Sequence, residues 1–323
     1  MTARRHHYVP QCYLKGFCPN RAKPKLFAID IRRRQTFTAS PVNVAAQRDF
    51  HTVEIDGLPA DALENQLARF ESDLSHSLSR IIEARSIAAE NDRINLLKLI
   101  AILAVKNPRL RTVFGQFQER LMKMVLQLVT ATPERWESQL QQAKDAGYFQ
   151  QEVGVAYEQI RDFVDRDEYD VRFSTTHHLV LELSSVDKVL PVVFARKWLL
   201  FRAPRGVSGF ITSDHPVCLM WRDPKRRGGP HPPGYGLRGT QIVFPISNDL
   251  AMIGGFEFTD TECNADERQI AEINTTIIAY ADQQIYARDR EFRYLSPRSG
   301  RIMRGAEVMN DSALMRAHRV DPA

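Results

Sequence analysis

A chain of 323 residues, 43% hydrophobic and 26% charged, can bury a sizeable core and has room for two ordinary domains or one large one with a subdomain. Its longest apolar run, 96–105, is interrupted by Lys98 and bounded by Lys106, too short to span a bilayer, so no membrane partner is expected. The formal charge of +5 is unevenly held: residues 1–48 carry ten Lys/Arg against Asp30 alone, a local +9 that leaves −4 for the rest.

The basic start lacks a following apolar run, so it does not read as a secretory signal. Cys12, Cys18, Cys218 and Cys263 show no C-x-x-C pairing. Reduced thiols in a cytoplasmic protein are the plain expectation. Clustered Lys and Arg suit DNA or RNA, whose phosphates reward them through counterion release. A solvated basic surface with no partner is the alternative, and charge alone leaves both open.

In chain order, the head (1–58) reads as short strands: 25–31 alternates, 32–38 follows it, and Pro41 with Asn43 marks a turn into a short helix. From Pro59 the pattern becomes helical, with Leu63, Leu67, Phe70, Leu74, Leu78 and Ile81 on one stripe. Residues 92–107 are apolar on most faces, which predicts the most buried helix, ended or kinked at Pro108. Helix resumes over 111–129, and Thr132-Pro133-Glu134 opens another. Further helices are expected at 156–166 and 176–190.

After Pro191 the composition is that of strands, at 197–203, 209–221, 240–247 and 251–258, with a long Gly/Pro-rich basic loop at 222–239 read as mobile. Residues 264–290 read as one capped helix, followed by a short strand at 292–296. The class is α+β: a β-rich basic head (1–58), a helical region (59–190), and an antiparallel sheet with a C-terminal helix (191–323), expected to form one composite domain.

Four stretches carry a resemblance: HHYVPQCYLKGF (6–17), PVNVAAQRDFH (41–51), AVKNPRLR (104–111) and FITSDHPV (210–217), with FPISNDLAMI (244–253) strengthening it. On these the chain resembles the bacterial family catalogued as domain of unknown function 4238, over roughly residues 6–290. That resemblance implies no activity. The stretch HHYVPQCYLK is also similar to the first strand of HNH-type nucleases. This likeness implies His6 as a metal ligand, His7 as the general base activating water, Asn43 as its orienting group, and His51, with Asp49 the alternative, as a further ligand. Mg²⁺ or Mn²⁺ would stabilise the phosphate charge while a neutral imidazole takes the water's proton. Arg4, Arg5, Lys15, Arg32, Arg33 and Arg34 would hold phosphates. A defence role would fit such an activity by analogy only.

Blander readings stand beside this one. His6-His7 can be an edge-strand pair covering the sheet, with Tyr8 and Tyr13 packed inside. Ser213, Asp214 and His215 offer acid/base chemistry near His7, but Ser213 and Asp214 beside Pro216 fit a turn better. His177-His178 are adjacent and so face different ways on a helix, unlike H-E-x-x-H. No P-loop occurs, and no nucleotide cofactor is indicated. Three functions follow: a metal-dependent nuclease acting on DNA or RNA, a non-catalytic nucleic-acid-binding module, or a protein-interaction module using the helical layer.

Overall fold

The computed structural model describes residues 5–52, 59, 62–148, 154–206 and 208–317. Its described strands are β1 (Arg5–His7), β2 (Leu26–Asp30), β3 (Gln35–Ala39), β4 (Ala46–Arg48), β5 (Lys197–Arg202), β6 (Thr212–Ser213), β7 (Cys218–Trp221), β8 (Thr240–Ser247), β9 (Leu250–Gly255), β10 (Thr261–Asn264), β11 (Gln284–Ala287), β12 (Arg293–Leu295) and β13 (Ile302–Arg304). The described helices are α1 (Gln11–Leu14), α2 (Ala62–Ala84), α3 (Glu90–Val105), α4 (Pro108–Val129), α5 (Pro133–Asp145), α6 (Tyr157–Arg166), α7 (Thr175–Phe194), α8 (Glu267–Tyr280) and α9 (Ser312–Ala317). The α+β class is as the sequence predicts.

The chain forms two compact units. One comprises residues 1–107 and 179–323, and the other residues 108–178. The boundaries suggested by composition, 58 and 190, are not where the units part. Head and C-terminal region share sheets. A four-stranded sheet runs β3-β2-β11-β6, and a five-stranded sheet runs β10-β5-β9-β8-β7, antiparallel except for β10 beside β5.

Period-two alternation divides these strands between two cores. Leu26, Ala28, Leu200, Ile242, Phe244 and Tyr286 join a cluster with α2 and α3. Their neighbours Ile29, Phe201, Val243, Ile285 and Ala287 join a second cluster with α8. Both sheets are therefore covered on two faces, which explains why β8 is buried at nearly every position. Helix α3 is the most buried, with Leu96, Leu97, Leu99, Ile100, Ala101, Leu103 and Ala104 all inside, as its all-round apolarity predicts.

In the second unit α4 leads into α5, where Thr132 caps the first turn and Pro133 takes the first helical position. Tyr157 donates to the Thr130 carbonyl at 2.9 Å, and Lys123 pairs with Asp167 at 2.8 Å. Val164 is its buried apolar anchor, while Phe114, Phe117, Leu121, Met124 and Leu128 lie exposed along α4.

Three expectations about elements fail. Of the stretch 40–53, the described residues 40–52 give a single 3₁₀ turn, Pro41–Asn43, and then β4, because Ala46–Arg48 finds a partner in β1. Helix α7 runs through Pro191 to Phe194. The expected helix 264–290 stops at Tyr280, and its last part becomes β11 at the centre of the four-stranded sheet. The 222–239 segment is a loop as expected, but one held by hydrogen bonds. Fully buried Arg196 donates to the carbonyls of Thr240 (3.0 Å), Gly254 (3.2 Å) and Tyr235 (2.5 Å) and to the Thr240 hydroxyl (2.9 Å).

Candidate functional site

Strands β1 and β4 form a two-stranded antiparallel ribbon, with Arg5 opposite Arg48, His6 opposite Gln47 and His7 opposite Ala46. Partners share a face and neighbours alternate, so Arg5, His7 and Arg48 lie on one side and His6 on the other. The Tyr8 amide extends the ribbon by donating to the Ala45 carbonyl at 3.0 Å. Arg5 and Arg48 are exposed, while His7 is half-buried.

His6 is buried, and its Nδ1 accepts the backbone N–H of His51 at 2.8 Å. The two rings stack, centroids 5.2 Å apart and planes within 6°. Tyr8 packs on Phe50, which also meets the His51 ring edge-on. The motif HHY and the DFH of residues 49–51 thus make one braced corner. The edge-strand reading of His6 holds in part: it is structural glue, on its ribbon's inner face.

This corner does not fit a resident metal. The Nδ1 of His6 is committed to an amide, which leaves only Nε2 for coordination. Two stacked, near-parallel imidazoles do not aim their in-plane lone pairs at one point, as a shared ion requires. Asp49 is exposed, in the left-handed region at φ 55°, with its carboxylate 3.7 Å from the Arg48 guanidinium. Asn43 is exposed, and it is its backbone carbonyl that accepts Arg5 Nη2 at 2.8 Å. Among the described residues, no group of three or more His, Cys, Asp or Glu could hold a metal ion.

The ribbon meets the FITSDHPV stretch at Tyr8. Burial raises the Tyr8 phenol strongly, and the charges of Asp214 and Asp282 reach it and add to the rise. Asp282 also pairs with Arg32 at 2.7 Å. Arg32, Arg33 and Arg34 are exposed in the β2–β3 turn, where Asp30 Oδ1 accepts the Arg33 amide at 2.8 Å. The acid that pairs with Arg32 thus also bears on the Tyr8 phenol at the end of the ribbon. Lys15 is exposed after α1, and Arg4 lies outside the described residues.

Asp214 is buried and accepts three backbone amides: Asp282 at 2.8 Å, Gln283 at 2.7 Å and Gln284 at 2.9 Å. Burial pushes its carboxyl up to about 7, and the three amides oppose that rise. Ser213 Oγ accepts the His215 amide at 3.1 Å, and the His215 ring lies beside Tyr280. Ser213 thus bonds within its own turn, and Asp214 ties that turn to residues 282–284.

Sequence reasoning missed the polar chain beneath them. Buried Asp30 accepts Gln284 Nε2 at 3.0 Å, and Tyr286 donates to Gln284 Oε1 at 2.8 Å. A buried acid inside an alternating strand was the available signal, since such a group must find donors.

With this geometry in hand, the chain belongs to the family described as proteins of unknown function, DUF4238, whose model matches residues 5–291. The matched span takes in the ribbon, the Asp214 turn and β11. No curated protein and no solved structure matches the chain. Among the described residues, no helix is long and apolar enough to cross a membrane.

Proposed function

We propose that this is a cytoplasmic nucleic-acid-binding protein, whose β1–β4 ribbon and Arg32–Arg34 turn hold phosphates while His6 and His51 brace the ribbon. One observation carries the reading: Arg5 and Arg48 face each other in register on an exposed ribbon face. Like charges directly opposite on paired strands destabilise them unless an anion lies between. The Arg5 bond to the Asn43 carbonyl and the loose Arg48–Asp49 contact offset only part of that cost. At the β2–β3 turn, Arg33 and Arg34 have no carboxylate partner among the described residues.

The test is anisotropy titration of labelled DNA and RNA, single- and double-stranded, between about 50 and 200 mM salt. Each phosphate contact contributes roughly −0.9 to the slope of log K against log salt for duplex DNA. The pair Arg5→Ala and Arg48→Ala should flatten that slope by about 2, and Arg33→Ala with Arg34→Ala by a similar amount. Salt-independent binding, or none at low salt, rejects the reading and favours a protein-interaction role for the helical layer.

A second reading, phosphodiester hydrolysis with His7 as base, has one observation in its favour: His7 shares the face of Arg5 and Arg48. A phosphate held by those arginines would lie beside its imidazole. The test adds Mg²⁺, Mn²⁺ or chelator to the same substrates. Metal-dependent cleavage lost by ~10²-fold or more in His7→Ala, with binding retained, would establish it. Binding without cleavage under every metal condition leaves the first reading alone.

A further inference from the structure

Trp221 ends β7 and organises the basic loop that follows it. Its indole Nε1 donates to the His231 carbonyl at 2.9 Å, and its own carbonyl accepts Arg227 Nε at 3.0 Å. The Arg226 guanidinium lies 3.5 Å from the indole ring centre. These contacts fold residues 226–233 back over α8 and leave a cleft of about 360 Å³ between loop and helix. That volume lies within the roughly 300–1,000 Å³ range of small-ligand sites.

The chemistry of the lining is one-sided. On the α8 floor, Thr275 and Thr276 donate to helix carbonyls at 2.7 and 3.1 Å, and Ala279 leaves room above them. Met220, Trp221 and two prolines supply flat apolar wall. The charged lining residues are Arg226 and Arg227, with His231 beside them, and no acid lines the cleft. Among the described residues neither arginine has a carboxylate partner, and the Nη groups of Arg227 make no hydrogen bond. Elsewhere Arg32, Arg80 and Arg202 are each matched by a carboxylate. An unneutralised pair of cations in a concave apolar setting concentrates positive potential there.

We propose that this cleft binds a small planar anion of the nucleoside monophosphate class. The base lies between the apolar wall and the α8 floor, and the phosphate takes the Arg227 fork, a bidentate match. Two guanidinium charges balance the roughly −1.5 to −2 of one phosphate monoester. No residue of the ribbon or the arginine turn lines the cleft, so this inference stands or falls apart from the proposed role of the head.

The experiment is calorimetric titration of the full chain with AMP, UMP, adenosine, inorganic phosphate and a short 5′-phosphorylated oligonucleotide. Either monophosphate should bind saturably with Kd below about 1 mM, and adenosine and phosphate at least about tenfold more weakly. Arg227→Gln should weaken the monophosphates about tenfold or more by removing the fork. Ala279→Leu should do the same by filling the cleft from an exposed helix position, with the melting temperature within a few degrees of wild type. If Arg227→Gln weakens the oligonucleotide as much as it weakens AMP or UMP the phosphate belongs to a strand end, and if it weakens only the monophosphates, to a free nucleotide. Three results would each overturn the proposal: no binding of either monophosphate at about 5 mM, phosphate alone binding as well as nucleotide, or unchanged binding in a folded Ala279→Leu.

Discussion

Replacing Asp214 by Ala removes the common acceptor of three buried backbone amides, those of Asp282, Gln283 and Gln284. Each orphaned donor costs about 1–3 kcal/mol, and water entering the vacated space relieves some of that, so a loss of about 3–5 kcal/mol is expected at pH 5. The loss should depend on pH. Burial raises the Asp214 carboxyl from 3.8 to about 7, so between those values the folded state holds a proton that the unfolded state has released. Stability from this group is therefore full below about pH 4 and lost as pH rises through 7. Between pH 5 and pH 8 the wild type should lose about 2–3 kcal/mol on this account, and Asp214→Ala should lose none of it.

The gap between the two proteins should accordingly narrow with rising pH. Urea unfolding followed by tryptophan fluorescence at pH 5, 6, 7 and 8 measures it directly. A gap that stays constant from pH 5 to pH 8 would mean that the three amides outweigh burial and hold the carboxylate ionised throughout, and it would refute the reasoning. A loss below about 1 kcal/mol at pH 5 would refute the view that Asp214 organises the 281–284 turn.

Other substitutions probe the frame around the site. His6→Ala leaves the His51 amide without its acceptor and removes a stacked ring, so unfolding should show a loss of about 1–3 kcal/mol while nucleic-acid affinity persists. Tyr13→Phe removes a fully buried hydroxyl bonded to Thr212 Oγ1 and the Pro245 carbonyl, and should cost about 1–2 kcal/mol in the same assay. In Gly209→Ala the new Cβ would sit 2.3 Å from the Asn248 carbonyl oxygen, a backbone atom that cannot yield, so a loss of about 3 kcal/mol or more is expected. Gly236→Ala, with nothing within 4 Å of its Cβ, is the neutral control. Arg196→Met should lower the melting temperature and weaken nucleotide binding in the Trp221 cleft together, because it frees the Tyr235 and Thr240 carbonyls that anchor the loop.

Elements whose burial pattern is local were legible in the sequence. The all-round apolarity of 92–107 marks α3, and the capped start expected for 264–290 is, in the structure, a capping box of Asp266 with Gln269 at the head of α8. The end of α8 was not legible, because nothing local ends it. Residues 281–290 contain no Gly or Pro, and Ile285 continues the apolar spacing of Ile273, Ile277 and Ile278. What ends the helix is Asp214, 68 positions away in sequence from Asp282, whose carboxylate takes the next three amides in a geometry that a helix cannot offer. The chain then extends, and Ile285 and Tyr286 pair with β6 and β2. Ribbon strand β4 escaped notice for the same reason: three residues with little apolar pattern become a strand only because β1 lies opposite.

The candidate site shows the same division. The likeness to HNH nucleases brought His6, His7, Asn43 and His51 forward as a set, and the structure does bring His6 and His51 into ring contact. Motif reasoning assigns residue types to roles, but a role such as metal ligation depends on where lone pairs point, and that direction is set by tertiary packing. The His6 ring points its Nδ1 at the His51 amide because the backbone turns there, through the left-handed Asp49. Charge was the more durable signal, since it needs no direction to act. The +9 of residues 1–48 survives folding as an arginine face on the ribbon and an exposed arginine turn between β2 and β3. The loop at 222–239 was equally visible as basic, and only the structure could show that Trp221 folds it into a cleft.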